Sequence, residues 1–505
     1  MQHDAAILGT GFSGSLLGWI LAECGWRVVL IDRDEHPRFA IGESSTPLAD
    51  LLIEKLADEY GLKELRPLSR WGSWQQQIPH IRGGKKRGFS YFEHRPGEPF
   101  SDTPDHRHSL LVAASPDDER SDTHWLRADV DAWFYLHACQ AGCTGFLNTE
   151  VLNVRRAASG WDVVYRPIGG EVDTFQCREV IDATGSEEVL VKFLGLNDFT
   201  DRLRTRTGAL FGHFRGIGSM EQWMRDRGLP LEPLVFPPDE SAQHHLLQSG
   251  WMWMLRFVDG TTSVGIVQTQ DNWRPFGALD CKGARQDAWQ LFLARYPTLY
   301  DLMREAELVA PTVAGTPQLA WMPRIGRRVG PAAGKGWCLL PSTAGIIDPL
   351  HSTGIAHALS GVRRVASFLT GGSLAQRAEY SRAVDAELDW IDRLVSAAYA
   401  AMPYGLPLFA AATSFYLVAA IQSERSLQAT GTLTSGFLQW EDQALQQQLE
   451  WFAQRVAALP APAEVPGREV EALIDEVRQR LAPWNDVGLL DPTLGNRIAR
   501  TAADK

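Results

Sequence analysis

The sequence Ala5-Ala6-Ile7-Leu8-Gly9-Thr10-Gly11-Phe12-Ser13-Gly14 decides the fold of this chain. Its first four residues are apolar, as in a short buried strand, and its last six fit the pattern G-x-G-x-x-G. Residues 15–24 predict a helix, and residues 26–31 predict a second strand that is followed by Asp32. Strand, glycine-rich turn, helix and strand make a β-α-β unit, so we predict a Rossmann-like α/β domain.

This glycine-rich turn has the chemistry of a dinucleotide site. The first glycine permits the tight turn, the second lets a pyrophosphate approach the backbone, and the third lets helix and strand pack closely. The helix N-terminus directs free N–H groups at the phosphates, and an acid after the second strand accepts from a ribose hydroxyl. The alternative is an ordinary glycine-rich turn. The residues predicted to contact the nucleotide here are Gly9, Gly11, Phe12, Ser13, Gly14 and Asp32.

Length and composition predict several domains. The chain has 505 residues, of which 45% are hydrophobic and 22% charged, as in globular proteins of two or three domains. We predict a nucleotide-binding domain over residues 1–190, to which residues 336–370 return. A mixed-sheet substrate domain is inserted over residues 191–335, and residues 371–505 form a helical C-terminal region. The stretch 67–104 is predicted to be irregular.

Charge and cysteine content exclude several classes of protein. The net charge is -12, from 49 basic and 61 acidic residues, so we expect no nucleic-acid partner. The six cysteines show neither zinc-site spacing nor a disulfide framework, which predicts reduced cysteines, no metal and a cytoplasmic location. The apolar run 406–421 is short for a membrane span and predicts a buried helix, so no transmembrane segment is expected.

A second nucleotide element is the stretch Ile181-Asp182-Ala183-Thr184-Gly185, a strand that ends in a turn of small residues. By itself it is compatible with any strand-to-loop turn. Together with the glycine-rich turn it resembles the A-T-G turn of FAD proteins with the glutathione-reductase type of fold. That resemblance implies that Asp182, Thr184 and Gly185 contact FAD.

Beyond the β-α-β unit, the chain carries Ile41-Gly42-Glu43-Ser44-Ser45-Thr46-Pro47, and with it the chain resembles the flavin-dependent halogenases. That group includes the tryptophan halogenases and adjoins aromatic hydroxylases and geranylgeranyl reductases. The resemblance touches motifs from residue 5 to about residue 360. It implies that FAD is used as FADH2, with Gly42, Glu43 and Ser44 beside the isoalloxazine ring. The same stretch also suits a helix start capped by Ser45 or Thr46.

Two further motifs resemble those of the same family. Lys86-Arg87-Gly88-Phe89-Ser90-Tyr91 is similar to the K-x-G-x-x-F pattern of the reactive lysine, although the neighbouring Lys85 leaves the register open. Trp251-Met252-Trp253-Met254-Leu255-Arg256 is similar to W-x-W-x-I-P, whose tryptophans separate flavin from substrate. Alternation along a strand puts Trp251 and Trp253 on one face. The alternatives are a solvated basic strand end and a half-buried strand with two core indoles.

The third motif is Ala344-Gly345-Ile346-Ile347-Asp348-Pro349-Leu350-His351-Ser352-Thr353-Gly354, which resembles the loop and helix that face the flavin. The resemblance implies that Asp348 and Gly354 lie near the cofactor and that the backbone of Thr353 and Gly354 holds halide. Simple helix capping by Ser352 or Thr353 is the alternative.

Two departures from the family pattern occur around this motif. The Gly-Asp pair that usually precedes it is Pro341-Ser342 here. His351 stands where tryptophan halogenases carry a glutamate, so we do not expect free tryptophan to be the substrate. We predict that His351 accepts the proton of the ring. Separately, Arg127, followed by Asp131, resembles the family's arginine near the FAD phosphates, with an ion pair on the helix surface as the alternative.

The function implied is halogenation of an electron-rich aromatic compound, free or carrier-bound, with FADH2, O2 and chloride or bromide. Lys86 would steer the electrophile to the ring. Because no second glycine-rich motif for NAD(P)H is visible, a separate flavin reductase is implied. The replacement of Ile-Pro by Leu255-Arg256 favours the main alternative, an aromatic hydroxylase that uses no halide. A prenyl-reductase-like or non-catalytic flavoprotein is the third possibility.

Overall fold

The computed structural model of the chain describes residues 3–232, 234–494 and 497–498. One sheet of eight strands begins with His3–Leu8, which is flanked by parallel strands Val28–Ile31 and Asp173–Asp182. In this register Leu8 lies opposite both Ile31 and Asp182. The carboxyl ends of the three strands therefore meet at one edge, where open α/β sheets bind their ligands. The other strands of this sheet are Thr144–Phe146, Thr149–Arg156, Trp161–Pro167, Ala333–Gly334 and Trp337–Leu339.

The second large sheet has nine strands and is mostly antiparallel. Its strands are Gly88–Glu93, Ser109–Ala113, Thr207–Arg215, Ala242–Leu247, Gly250–Arg256, Thr262–Thr269, Glu307–Ala310, Ala320–Met322 and Arg497–Ile498. Gly88–Glu93 runs parallel to Ala242–Leu247, with Tyr91 opposite His244. The predicted boundary at residue 190 is therefore wrong for this sheet. The chain first crosses into it at residue 88 and returns to the first sheet before residue 144.

The stretch 67–104 is not irregular, as the sequence had suggested. It contains the helix Trp71–Gln77 and the strands Gly83–Lys86 and Gly88–Glu93. The first of these strands is rich in glycine for a steric reason, since a Cβ on Gly84 would lie 1.9 Å from the carbonyl oxygen of Arg256. The close approach of two backbones thus removed the apolar alternation by which strands are recognised.

Helices cover both sheets and form most of the C-terminal third. The α-helices of six residues or more are Phe12–Glu23, Pro47–Tyr60, Trp71–Gln77, Arg127–Gln140, Val189–Leu194, Met220–Arg225, Lys282–Leu293, Pro297–Leu302, Gly354–Thr370, Leu374–Ala401, Leu406–Thr430, Gln443–Ala457 and Gly467–Leu481. Leu406–Thr430 is long and apolar enough to cross a membrane, but 83% of its most apolar stretch is buried inside the protein. Its apolar surface is thus covered by protein, as predicted for a core helix.

Candidate active site

A cavity of about 560 Å³ lies at the edge of the first sheet where the three parallel strands end. Gly11 faces it, and the nearest atom to a Cβ placed there is 3.7 Å away. Gly14 instead serves packing, because a Cβ there would lie 2.2 Å from the carbonyl oxygen of Gly9. The residues predicted to bind nucleotide that line this cavity are Gly9, Gly11, Phe12, Ser13, Asp32, Arg127, Thr184 and Gly185.

Two charged side chains at this cavity are held by other protein groups. Asp32 accepts hydrogen bonds from the backbone N–H of Thr10 at 2.8 Å and from Arg38 at 2.7 Å. Arg127 forms a two-pronged ion pair with Asp131, at 2.7 and 2.9 Å, and both residues are buried. The arginine therefore lines the cavity and also forms an ion pair, which is in the interior rather than on the helix surface.

Asp182 has a different role from the cofactor contact that the sequence suggested. Its carboxylate is fully buried and accepts from the N–H of Thr184 at 2.9 Å and from the N–H of Leu190 at 2.6 Å. It also accepts from the Thr184 hydroxyl at 2.6 Å. Burial raises the pKa of Asp182, while these donors oppose the rise. Asp182 thus holds in place the turn that presents Thr184 and Gly185 to the cavity.

A smaller cavity of about 140 Å³ continues from the first, and Ser342 lines both. Three motifs that are far apart in the sequence meet around it. Its walls include Gly42, Glu43, Ser44, Trp251, Trp253, Asp348, Thr353 and Gly354. The nucleotide-sized cavity is therefore adjacent to a second cavity, which is lined by the three motifs.

The polar groups of the second cavity fit a planar, polar ring such as the isoalloxazine of FAD. The hydroxyl of Ser44 is buried without a hydrogen-bond partner among the described residues. Glu43 is paired with His213, with 2.8 Å between Oε1 and Nε2. Sequence analysis missed His213, because one histidine in an apolar strand gives no local signal.

One end of this cavity is formed by the N-terminus of the 17-residue helix Gly354–Thr370. Among the described residues, the Thr353 side chain makes no capping hydrogen bond, so the capping alternative is not seen at this position. No described atom lies within 4 Å of a Cβ placed on Gly354. Free N–H groups at a helix N-terminus attract anions, and the open space beside Gly354 is compatible with a small one.

Asp348 lies in the wall of the same cavity and is fully buried. It accepts from the Thr207 hydroxyl at 2.6 Å, from the N–H of Leu350 at 3.0 Å and from the Tyr399 hydroxyl at 3.1 Å. Burial nevertheless raises its pKa to about 6. Asp348 is thus a carboxyl group that the fold holds most easily in its protonated form.

We expect Asp348→Asn to change the pH dependence of stability. Because the folded-state pKa lies above the usual 3.8, the favourable contribution of Asp348 is complete below about pH 4 and is lost as the pH rises through about 6. Relative to the parent, the variant should gain up to about 3 kcal/mol in free energy of unfolding between about pH 4 and about pH 7. Denaturant unfolding of both proteins at several pH values measures this, and a constant difference would contradict it.

The two tryptophans of the strand Gly250–Arg256 lie side by side on one face, as alternation along a strand requires. The ring centroids of Trp251 and Trp253 are 5.9 Å apart, and both rings line the second cavity. Trp251 donates to the Tyr399 hydroxyl at 2.8 Å, and Trp253 donates to Ser263 at 3.1 Å. The ring of Trp251 also stacks on the ring of His244, with the two centroids 4.8 Å apart.

The two neighbouring lysines have opposite environments, and these distinguish the two registers. Lys85 points outward and pairs with Asp118 at 2.6 Å and Glu240 at 2.7 Å. Lys86 is completely buried, donates to the carbonyl oxygen of Ser45, and lies 4.1 Å from the ring centroid of Phe89. Of the two, Lys86 is therefore the residue that lies directly behind the Gly42-Glu43-Ser44 segment.

Aromatic side chains enclose the region around Lys86. Tyr91 contacts His244 and, across the sheet surface, Phe409 of the helix Leu406–Thr430, with centroids 4.9 and 5.5 Å apart. His351 stacks on Tyr416 of the same helix at 4.5 Å. These contacts form an aromatic cluster between the second sheet and that helix.

His351 does not suit the proton-accepting role that the sequence suggested. It is fully buried, and burial together with His244 lowers its pKa to about 3. An imidazole with so low a pKa is neutral near pH 7 but a weak base. The structure therefore gives no support to His351 as the base that removes the ring proton.

Leu255 and Arg256, which replace the Ile-Pro pair, have separate structural roles. Leu255 lines the second cavity beside the tryptophans. Arg256 turns away, pairs with Asp239 at 3.0 Å and donates to the carbonyl oxygen of Gly218. The departure from the family pattern thus anchors the end of a strand and leaves the pair of tryptophans intact.

No protein-family model matches the chain. It is 28% identical over 405 residues to the tetracycline 7-halogenase of Kitasatospora aureofaciens, which covers 78% of this chain and 69% of the relative. It is 29% identical over 410 residues to the monodechloroaminopyrrolnitrin halogenase PrnC of Pseudomonas fluorescens, which covers 79% of this chain and 68% of the relative.

Among solved structures, halogenase PltM in complex with phloroglucinol and FAD has a TM-score of 0.84 to this chain. The superposition covers 99% of this chain and 100% of PltM, at 22% sequence identity. At this identity the likeness establishes a common fold, which extends over the C-terminal helices as well as over the two sheets.

Proposed function

We propose that this chain, an FAD-dependent oxidoreductase related to the flavin-dependent halogenases, halogenates an electron-rich aromatic compound. In this proposal Lys86 directs the halogen to the ring of the substrate. The observation that carries the proposal is the position of Lys86. Its ammonium group is buried and donates a hydrogen bond to the carbonyl oxygen of Ser45, the residue that follows the Gly42-Glu43-Ser44 segment. A fully buried lysine near a cofactor-sized cavity is a candidate functional group, because lysine side chains are seldom fully buried.

FAD, when bound in reduced form, supplies with O2 the oxidation of halide to an electrophilic halogen species. The protein's part begins with the nucleotide cavity, where Gly11, Phe12 and Ser13 offer backbone N–H groups to the pyrophosphate. Glu43, Ser44, Thr353 and Gly354 surround the space assigned to the ring. In this proposal the N-terminus of Gly354–Thr370 holds the halide.

A line of aromatic side chains in contact connects the space assigned to the ring with the lysine. Trp251 and Trp253 face the cavity, while His244 and Tyr91 continue the line of ring contacts toward Lys86 and Phe89. Water is excluded from this line, since each of these side chains is at least nine-tenths buried. Lys86 would donate a hydrogen bond from Nζ to the hypohalous acid and hold it against one carbon of the substrate, which gives positional selectivity.

The side chains of the aromatic cluster near Lys86 favour a flat, electron-rich aromatic substrate. Tyr91, Phe409 and Tyr416 offer ring faces, and the hydroxyl of Thr413 is buried without a partner among the described residues. Such a set of groups can stack on a ring and hydrogen-bond to one hydroxyl or amino substituent. The main support for the hydroxylase alternative was the replacement of Ile-Pro by Leu255-Arg256. The pairing of Arg256 with Asp239 gives this arginine a structural role instead.

A separate flavin reductase and a cytoplasmic location complete the proposal. The test supplies FADH2 in two ways, by chemical reduction without NADH and by NADH with an unrelated flavin reductase. Halogenated product should form in both cases and should not form with NADH and FAD alone. Product from NADH and FAD without a reductase would contradict the two-component part of the proposal.

A further inference from the structure

The second cavity is bordered by a triad of titratable and charged side chains that the proposed reaction does not use, and its outer member, Arg364, has 28% of its side chain exposed. His357 lines this cavity, and its Nε2 lies 3.0 Å from Oε2 of Glu387. Arg364 binds both oxygens of the same carboxylate, each at 2.8 Å. Glu387 is 1% exposed and His357 is 5% exposed. The triad therefore connects the cavity wall to the helix Leu374–Ala401 behind it.

The position of His357 relates it to the proposed halide site. It lies three residues after Gly354 and four after Thr353, and its N–H donates to the carbonyl oxygen of Thr353 at 2.9 Å. Residues at these spacings share one face of a helix. The imidazole thus lies one turn after the N-terminus of the helix Gly354–Thr370, on the helix face that borders the second cavity.

The charges of the triad are balanced when the imidazole is neutral. Burial raises the pKa of Glu387, but Arg364 and His357 lower it on balance, so the carboxylate is ionised and cancels the charge of Arg364. A carboxylate only accepts hydrogen bonds, so Nε2 of His357 carries a proton. In the neutral ring the other nitrogen, Nδ1, is then an acceptor, which makes it a poor neighbour for an anion.

The other ionisable groups around the cavity do not supply a free positive charge. Glu43 is paired with His213 at 2.8 Å, and Asp348 is a carboxyl group that is neutral or negative. Burial lowers the pKa of His244 to about 4, so it is neutral near pH 7. An anion that enters this poorly hydrated space therefore favours protonation of a nearby imidazole, which would stand between two negative charges.

We propose that His357 takes up one proton when halide binds beside Thr353 and Gly354, so that halide affinity falls as the pH rises. The inference rests on the proposed function, because it needs a halide in this cavity. Glu387 acts as a positioning residue that fixes the ring and favours its charged form, and Arg364 keeps Glu387 ionised. At the end of a cycle the loss of halide returns the proton.

The test is calorimetric titration of FAD-loaded protein with sodium bromide, in two buffers of different ionisation enthalpy, between about pH 6 and about pH 9. The buffers report directly how many protons are taken up. Because one proton is taken up with each bromide ion, the apparent Kd should rise with pH, by at most about tenfold per pH unit. His357→Gln keeps a donor for Glu387 but cannot be charged, so it should bind bromide weakly, without proton uptake and with no pH dependence.

Two further variants separate this role from a structural one. Glu387→Gln should take up fewer protons on binding bromide than the parent does, because the charged imidazole loses its partner. His80→Gln removes an exposed imidazole and should behave as the parent. A parent-like pH slope in His357→Gln, or bromide binding by the parent without proton uptake, would overturn the inference alone. Absence of bromide binding by the parent at every pH would instead contradict the proposed function.

Discussion

Replacement of Lys86 by methionine should abolish halogenated product while reoxidation of bound FADH2 continues at nearly the parent rate. Methionine fills most of the volume of the buried Lys86 side chain, so the surrounding aromatic side chains should keep their packing. The lysine acts after the flavin has reacted, and without it the electrophile is not held against one carbon. We expect product formation to fall by more than about 100-fold. The measurement follows product by mass and flavin oxidation by absorbance in the same reaction.

Lys85→Met is the matched control for this substitution. The neighbouring side chain points outward to Asp118 and Glu240, so its loss removes two ion pairs at the surface and should leave product formation within about twofold. Selective halogenation that persists in Lys86→Met would remove the role assigned to this lysine. Loss of flavin binding in the same variant would indicate that Lys86 serves the fold rather than the electrophile.

Gly11→Ala should weaken FAD binding without weakening the FAD-free fold. The backbone of Gly11 is extended, with φ of -61°, and the nearest atom to an added Cβ is 3.7 Å away, so alanine fits the empty cavity. The methyl group projects to the place where the pyrophosphate must approach the backbone. An intrusion of this size costs about 1–3 kcal/mol, which corresponds to a rise in Kd of about 5- to 150-fold. Fluorescence titration with FAD measures this change.

Gly14→Ala provides the contrast, because the same methyl group meets protein instead of ligand. Its Cβ would lie 2.2 Å from the carbonyl oxygen of Gly9 and 2.9 Å from Cβ of Ala183. This variant should unfold at lower denaturant concentration even without FAD, whereas Gly11→Ala should not. Unchanged FAD affinity in Gly11→Ala would mean that the nucleotide does not pass over this turn.

The parts of the site that could be predicted are those whose chemistry is local in sequence. A glycine-rich turn needs particular residues at fixed spacing, so Gly9, Gly11 and Gly14 identify it before any packing is known. The resemblance to known halogenases then identified the tryptophan pair and the Thr353-Gly354 turn, and the fold brings both to the same cavity. Periodicity alone would have given the strand of Trp251 and Trp253 without this role.

The parts that could not be predicted depend on contacts between distant segments. His213, Tyr399 and Glu387 each occur singly in an apolar or mixed pattern, and only packing brings them to Glu43, Asp348 and His357. The same limit explains why the sequence did not indicate the burial and partners of Asp182 and His351. Residue type indicated what each side chain can do, but burial and partners determine what it does.

We propose that the oxidising power of this flavoprotein is delivered to an aromatic ring as halogen. The most direct measurement is the mass of the products when the parent protein is given an aromatic library, FADH2 and O2, with and without bromide. We predict products with the isotope doublet of bromine, formed only when bromide is present. Products that carry an added oxygen and form equally well without halide would contradict the claim.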